Sequence, residues 1–161
     1  MKRLLVLRHA KSSWANPGQD DWHRPLNERG QADAPRVGEW LRERVSLPDA
    51  IITSDAIRAR TTAHAVAKAV GHMQEVVMEP ALYLARPETI VDLLARLERD
   101  PKTVMIVGHN PGLEELVRLL TGDPVSLATA AIVEVELTID RWNEIDSDTT
   151  AAIVARWHPR E

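Results

Sequence analysis

Two apolar runs stand out along the chain because a histidine follows each of them within two residues. They are residues 4–7 and residues 104–107. Uninterrupted apolar runs of this length are typical of strands that are buried on both faces of a parallel sheet. Arg8 and His9 follow the first run, and His109 follows the second. Because ligands bind beyond the carboxyl ends of strands in open α/β sheets, the pattern predicts one site that contains both histidines.

Helical periodicity predicts two helices between the first of these strands and Gly71. The first begins at Glu28, with Asn27 as its N-cap, and its apolar residues recur every three or four positions. Its apolar stripe consists of Ala34, Val37, Leu41 and Val45. Pro35 lies inside that stripe, so we expect a kink or a split there. The second helix is predicted to follow Ser54 as its N-cap and to end at Gly71.

Two more helices are predicted on either side of the second histidine strand. Pro87 fits the first turn of a helix that carries apolar residues on one face and ends at Asp100-Pro101. Asn110 and Pro111 form an N-cap and first-turn pair, which predicts a helix over residues 111–121.

The remaining strands complete the expected architecture. Short strands are predicted at residues 50–53 and, more weakly, at 75–79, and two further strands at 131–137 and 151–157. Strands and helices alternate over the first 120 residues, which predicts an α/β protein. We expect a three-layer α/β/α sandwich, with a mainly parallel sheet and an antiparallel edge, in a single domain over residues 1–161.

Composition excludes several classes of function. The chain has no cysteine, so disulfides, thiol nucleophiles and thiolate metal sites are excluded. The net charge of −4 is unfavourable for a nucleic-acid partner. No apolar run reaches membrane-spanning length, and no signal peptide is recognisable at the N-terminus. We therefore expect a cytoplasmic protein that binds neither nucleic acid nor a membrane; its oligomeric state is left open.

The predicted site combines cations with imidazoles. Arg58 lies in the first turn of the second helix, where a cation opposes the helix dipole. It is either an ordinary surface charge or a group that binds an anion. Together with Arg8, His9 and His109 it forms a set that suits phosphoryl transfer, since guanidinium forks match phosphate oxygens and an imidazole can act as nucleophile.

Two further groups are candidates for phosphate binding. Ser12 lies in the loop over residues 11–18, whose hydroxyl and backbone N–H groups can cradle an anion, although an ordinary surface loop would have the same composition. Asn110 lies at the predicted N-terminus of the last helix, where an anion is favoured.

Other catalytic chemistries fit the sequence less well. A zinc site needs three convergent ligands, and neighbouring arginines would repel the metal. No serine lies on a Gly-flanked turn between strand and helix, as a serine hydrolase of the α/β type requires. The chain also lacks the Gly-rich loop with Lys-Ser/Thr of P-loop nucleotide hydrolases.

Three motifs in order resemble the histidine phosphatase superfamily, which includes the phosphoglycerate mutases. Arg8-His9-Ala10 resembles the Arg-His-Gly signature of that superfamily. Residues 54–59, continuing to Thr62-Ala63, are similar to its second motif, and Gly108-His109-Asn110 to its third. Residues 24–30 resemble the segment that precedes the first long helix of the family. The short chain and residues 8–14 and 107–112 most resemble the phosphohistidine phosphatases of the SixA type.

The resemblance implies a phosphoglycerate mutase-like fold and a role for each motif residue. His9 would attack phosphorus and become a phosphohistidine, while Arg8, Arg58 and His109 would bind the phosphoryl oxygens. Water would then hydrolyse the intermediate, with no cofactor and no metal. The partner would be a phosphorylated protein that carries phosphohistidine, or a small phosphorylated substrate.

The sequence departs from the family where many relatives carry a general-acid glutamate. Leu84 lies near the expected position, and no carboxylate occurs between Pro80 and Glu88. Alkoxide leaving groups need a proton from such an acid, whereas a protonated imidazole leaves without one. Asp21 and His23 are the substitutes that we consider as proton donors. The departure favours phosphohistidine as substrate over a metabolite; a weakly active phosphate-binding module is the other alternative.

Overall fold

The computed structural model describes residues 1–159. Six strands occur in this part of the chain: β1 Lys2–Arg8, β2 Ala50–Thr53, β3 Val77–Met78, β4 Thr103–Gly108, β5 Ile132–Leu137 and β6 Ala151–Trp157. The α-helices are α1 Glu28–Arg44, α2 Ile57–Val70, α3 Pro87–Ala95 and α4 Gly112–Thr121.

All six strands form one sheet, in the order β3-β2-β4-β1-β5-β6. The neighbours among β1 to β4 pair in parallel, whereas β5 is antiparallel to both β1 and β6. In the register of β1 and β4, Arg8 lies opposite Gly108. The two strands therefore end at the same level, and the residues that follow them are neighbours. This confirms the mainly parallel sheet with an antiparallel edge.

Both faces of the sheet are covered by helices. Leu4 and Val6 of β1 pack on one face with apolar residues of α3 and α4, while Leu5 and Leu7 pack on the other with α1 and α2. All four side chains are fully buried. Since no residue of this stretch faces water, the strand is apolar throughout rather than alternating. The three-layer α/β/α sandwich is thereby confirmed.

The first helix is capped as expected but is not split. The Asn27 side chain accepts a hydrogen bond from the N–H of Gly30 at 2.9 Å. Of the two expected outcomes at Pro35, the split is wrong, because α1 runs unbroken over 17 residues, whereas the kink stays a prediction. Buried residues on both sides of the proline, such as Ala34 and Val37, keep the two halves on the core and offset the lost backbone hydrogen bond.

The second helix begins later than predicted. It starts at Ile57, and its N-cap position is Ala56, which makes no side-chain capping bond. Ser54 is therefore not the N-cap. Its hydroxyl accepts a hydrogen bond from the Ala56 N–H at 3.2 Å and lies 2.8 Å from Nε2 of His109. The Ser54 hydroxyl therefore contacts His109 of the site instead of capping α2.

Three other element boundaries also differ from the prediction. The third strand is only Val77–Met78, because β3 lies at the sheet edge and pairs with β2 alone. The third helix ends at Ala95 instead of Asp100, with Arg96 as its C-cap. The last helix begins at Gly112, with Pro111 as its N-cap, so Asn110 does not cap it.

None of the helices within residues 1–159 has both the length and the apolar character that crossing a membrane requires.

Candidate active site

His9 lies directly beyond the carboxyl end of β1. The backbone N–H of His9 donates to the Gly108 carbonyl oxygen at 3.1 Å, which connects His9 to the end of β4. Nδ1 of its ring lies 2.8 Å from the Ala10 carbonyl oxygen. Because a carbonyl oxygen only accepts, Nδ1 carries the proton and Nε2 keeps its lone pair. Burial lowers the pKa of His9 to about 3, so the ring is neutral at neutral pH.

His109 faces His9 across the site, with the two ring centroids 5.2 Å apart. Nδ1 of His109 accepts a hydrogen bond from Nη2 of Arg58 at 3.4 Å. The ring proton therefore lies on Nε2, which donates to the Ser54 hydroxyl at 2.8 Å. Burial and, second, the Arg58 charge lower the pKa of His109 to about 4. The structure thus brings the two predicted histidines together.

Arg8 and Arg58 place two guanidiniums in the same site. Nη1 of Arg8 donates to the Leu127 carbonyl oxygen at 3.0 Å. Arg58 is only 2% exposed, and it donates to the backbone and the carboxylate of Asp21. The Nε atoms of both arginines are buried and have no hydrogen-bond partner among the described residues. Buried N–H donors without a partner are costly unless an anion completes them, which makes these two atoms candidate ligands of a phosphoryl group.

A third guanidinium, Arg24, was not predicted as a site residue. The residue is 7% exposed, and its Nη1 donates to the Ser12 hydroxyl at 2.6 Å. Its Nε donates to Asp21 at 3.1 Å. The only sequence signal was the resemblance of residues 24–30 to a family segment, which named no role for the arginine. Ser12 lies in the pocket as expected, where its hydroxyl accepts from Arg24; phosphate binding by Ser12 stays a prediction.

A pocket of about 200 Å³ joins these groups. Its lining residues are Arg8, His9, Lys11, Ser12, Trp14, Arg24, Arg58, Leu84, His109, Asn110 and Thr129. Leu84 thus lies at the pocket, in the region where the missing acid was expected. None of the lining residues carries a carboxyl group. The pocket is cationic, and no group of three or more metal-ligating side chains occurs within residues 1–159.

The geometry argues against both candidate proton donors. Hydrogen bonds from Tyr83 and Arg58 outweigh the effect of burial and lower the pKa of Asp21 to about 2, so its carboxyl group is ionised. His23 does not line the pocket; its side chain is 58% exposed and pairs with Asp20. An ionised carboxylate has no proton to donate, and an imidazole that does not line the pocket is poorly placed to donate one, so we expect neither residue to protonate a leaving group there.

Asn110 lies at the pocket but uses both of its amide hydrogens elsewhere. Nδ2 donates to Glu114 at 3.1 Å and to the Leu127 carbonyl oxygen at 2.9 Å. Oδ1 is buried, has no hydrogen-bond partner among residues 1–159 and can only accept. This arrangement does not offer a donor to phosphate, so the contribution of Asn110 to phosphate binding stays a prediction.

A hydroxyl of α2 supports the loop that follows β1. Thr62 donates to the Arg58 carbonyl oxygen at 2.7 Å and accepts from the Ala10 N–H at 3.0 Å. The Ala10 carbonyl oxygen in turn holds the ring of His9. Thr62 belongs to the second motif of the resemblance, but its positioning role was missed because it depends on a contact between distant segments.

Comparison with known proteins identifies the family. The family model of the histidine phosphatase superfamily (branch 1) matches residues 4–83. The crystal structure of a SixA protein from Agrobacterium tumefaciens is 30% identical, with a TM-score of 0.81, and the match covers 98% of both chains. An uncharacterized protein of Mycobacterium tuberculosis is 36% identical over 129 residues, which is 80% of this chain and 77% of that protein.

A second solved structure is similar in fold. The protein histidine phosphatase SixA complexed with tungstate has a TM-score of 0.82 over 98% of this chain and 97% of that one, at 20% identity. With the family-model match and the 30% identical SixA structure, the geometry leads to one conclusion. This chain belongs to the histidine phosphatase superfamily and is of the SixA type.

Proposed function

We propose that this protein is a phosphatase that hydrolyses phosphohistidine in proteins through a covalent intermediate on His9. The observation that carries the proposal is the orientation of the His9 ring. Its Nδ1 proton is held by the Ala10 carbonyl oxygen, so Nε2 presents a lone pair to a pocket that contains three guanidiniums. A neutral imidazole with a directed lone pair is the form that can attack phosphorus.

In the first step, Nε2 of His9 forms a bond to phosphorus. The bond between phosphorus and the substrate nitrogen breaks, and its electron pair stays on that nitrogen. A substrate imidazole protonated on its other nitrogen leaves as neutral imidazole, so no further proton is required. Arg8, Arg24 and Arg58 supply the positive charge that stabilises the phosphoryl oxygens in the transition state.

In the second step, water attacks the phosphorus of phosphorylated His9. The bond from phosphorus to Nε2 breaks, its electron pair returns to the ring, and phosphate carries away both protons of the water. His9 is then neutral again, with its proton still on Nδ1 and donated to the Ala10 carbonyl oxygen. Both steps use the same oxygen-binding groups, so one pocket serves phosphorylation and hydrolysis.

The pocket lining supports phosphohistidine as the substrate. None of its residues in the described part of the chain carries a carboxyl group, and Asp21 is ionised. An alkyl phosphate would need a general acid, whereas imidazole does not. A small phosphorylated metabolite and a weakly active phosphate-binding module are the alternatives that the following experiment separates. The single domain, the cytoplasmic location and the absence of a cofactor, of nucleic-acid binding and of membrane binding remain predictions.

The test is to trap the intermediate. The purified protein is mixed with a histidine-phosphorylated protein, quenched in alkali, and digested for mass spectrometry. We expect a phosphoryl group on His9 that is stable in base and lost in acid. His9→Ala should lose both the label and turnover, whereas His64→Ala, which replaces an exposed histidine of α2, should keep both. Turnover by His9→Ala near the wild-type rate would refute the mechanism, and faster hydrolysis of phosphorylated metabolites would refute the substrate.

A further inference from the structure

Two exposed apolar side chains stand at the pocket that holds His9. Trp14 is 72% exposed and Leu84 is 56% exposed, and both line the pocket. The interior of the same pocket is polar and cationic. Large apolar side chains that remain in water next to a ligand pocket suggest contact with an apolar part of the ligand.

Trp14 is held in place from one side. The Arg24 guanidinium carbon lies 3.5 Å from the centre of the Trp14 ring, which is a cation–π contact. Arg24 is itself fixed by Ser12 and by Asp21. With Arg24 on one face and 72% of the residue exposed, the other face of the indole is open.

The backbone conformation of Leu84 fixes the position of its side chain. Its φ of 51° lies in the left-handed region, which residues with a bulky side chain rarely adopt. The next residue, Ala85, is in close contact with the start of α4, because a Cβ on Gly112 would lie 1.9 Å from the Ala85 carbonyl oxygen. Backbone conformations of this kind persist only where the surrounding structure enforces them, and they cluster at ligand sites.

In-line displacement relates these side chains to the reaction. The attacking and leaving atoms lie on opposite sides of phosphorus. His9 is 6% exposed and attacks from inside the pocket, so the leaving group points towards its opening. The exposed side chains that line the pocket are those of Trp14 and Leu84.

We propose that Trp14 and Leu84 form a leaving-group subsite that binds a flat ring by stacking and apolar contact. This inference rests on the proposed function, in which the ring is the imidazole of phosphohistidine. The subsite would select ring-bearing phosphoryl compounds over those whose leaving group is small and lacks a ring. It adds a specificity determinant to a pocket whose interior recognises only the phosphoryl group.

The test uses a matched pair of non-hydrolysable ligands, phenylphosphonate and methylphosphonate, measured by titration calorimetry. The variant Trp14→Ala should bind phenylphosphonate about tenfold more weakly, as expected for loss of an aromatic stacking contact. Methylphosphonate binding should change less than about twofold. Trp14→Phe should restore most of the preference, and Val154→Ala, an exposed apolar residue of β6, should leave it unchanged.

If Trp14→Ala weakened the binding of both ligands by the same factor, the inference would be overturned, because Trp14 would then act only by supporting Arg24. The absence of any preference for phenylphosphonate in the wild-type protein would overturn it as well. Failure of the proposed function alone would give another result. The wild-type protein would still prefer phenylphosphonate and Trp14→Ala would still lose that preference, but phosphohistidine would not be hydrolysed. Thermal unfolding of each variant verifies that it is folded.

Discussion

Nη2 of Arg58 lies 2.8 Å from a carboxylate oxygen of Asp21, and Nη1 lies 2.6 Å from the backbone carbonyl oxygen of the same residue. The carboxylate also accepts from Nε of Arg24 at 3.1 Å and from the Tyr83 hydroxyl at 2.6 Å. One ionised carboxylate therefore orients two of the three guanidiniums at the pocket. We therefore expect Asp21 to act through the arginines, as a positioning residue, rather than as the proton donor considered from the sequence.

The first prediction tests this role with Asp21→Asn. The variant keeps the size of the side chain but loses its charge, so both arginines lose a charge-assisted hydrogen bond. Such bonds are worth ~1.5–3 kcal/mol, so we expect vanadate affinity to fall about tenfold or more. Turnover should fall by a similar factor for aryl and alkyl phosphates. Tyr83→Phe, which removes one bond and keeps the charge, should have a smaller effect. A selective loss of alkyl phosphate turnover would instead identify Asp21 as an acid.

The second prediction concerns Arg58 itself. Arg58→Ala removes a buried cation whose Nε has no partner in the described structure. Loss of one charged hydrogen bond, ~1.5–3 kcal/mol, should weaken vanadate inhibition about tenfold or more and reduce turnover as well. The matched control is Arg60→Ala, since Arg60 is on the same helix but lies over the Trp22 ring, outside the pocket. Unchanged inhibition of Arg58→Ala would show that this arginine does not bind the phosphoryl group.

The third prediction concerns the leaving group. Because none of the described residues that line the pocket carries a carboxyl group, the rate should decline steeply as the pKa of the leaving group rises. A general acid contributes typically ~10²–10⁴-fold, so alkyl phosphates such as phosphoglycerate should be cleaved slower than activated aryl phosphates by at least that order. The measurement is kcat/KM across a series of phosphate esters. A flat dependence would mean that a proton donor is present in the pocket after all.

The fourth prediction concerns pH and stability. Burial lowers the pKa of His9 from 6.5 to about 3 and that of His109 from 6.5 to about 4. Between about pH 6.5 and pH 4 the unfolded chain therefore binds more protons than the folded protein, so the free energy of unfolding falls as the pH falls. Each histidine contributes a slope of up to ~1.4 kcal/mol per pH unit.

Urea unfolding at several pH values above 4.5 measures this slope. We expect the double variant His9→Gln, His109→Gln to lose stability less steeply with falling pH than the wild-type protein. The slope of His64→Gln, which replaces an exposed histidine of α2 outside the pocket, is measured in parallel as the control. An equal slope in the double variant and the wild type would show that the two histidines are not neutral in the folded protein.

The convergence of His9 and His109 was predictable from sequence because it depends on strand periodicity and on a general property of parallel sheets. Two uninterrupted apolar runs predicted buried parallel strands, and the ends of such strands meet at one edge. The position of Arg58 was predictable for a related reason, because helical periodicity places this residue in the first turn of a helix. These inferences use only short-range pattern and the chirality of the chain.

The places of Arg24, Asp21 and Trp14 were decided by the tertiary structure. All three lie between β1 and α1, in a segment whose sequence shows no helical or strand periodicity. Asp21 became a counter-ion because folding brought Arg58 and Tyr83 to it from segments distant in sequence. The Ser54 hydroxyl likewise contacts Nε2 of His109 instead of capping the second helix as expected. Sequence determined which groups occur at the strand ends, whereas long-range contacts decided their protonation and partners, because hydrogen bonds and burial are properties of the folded chain.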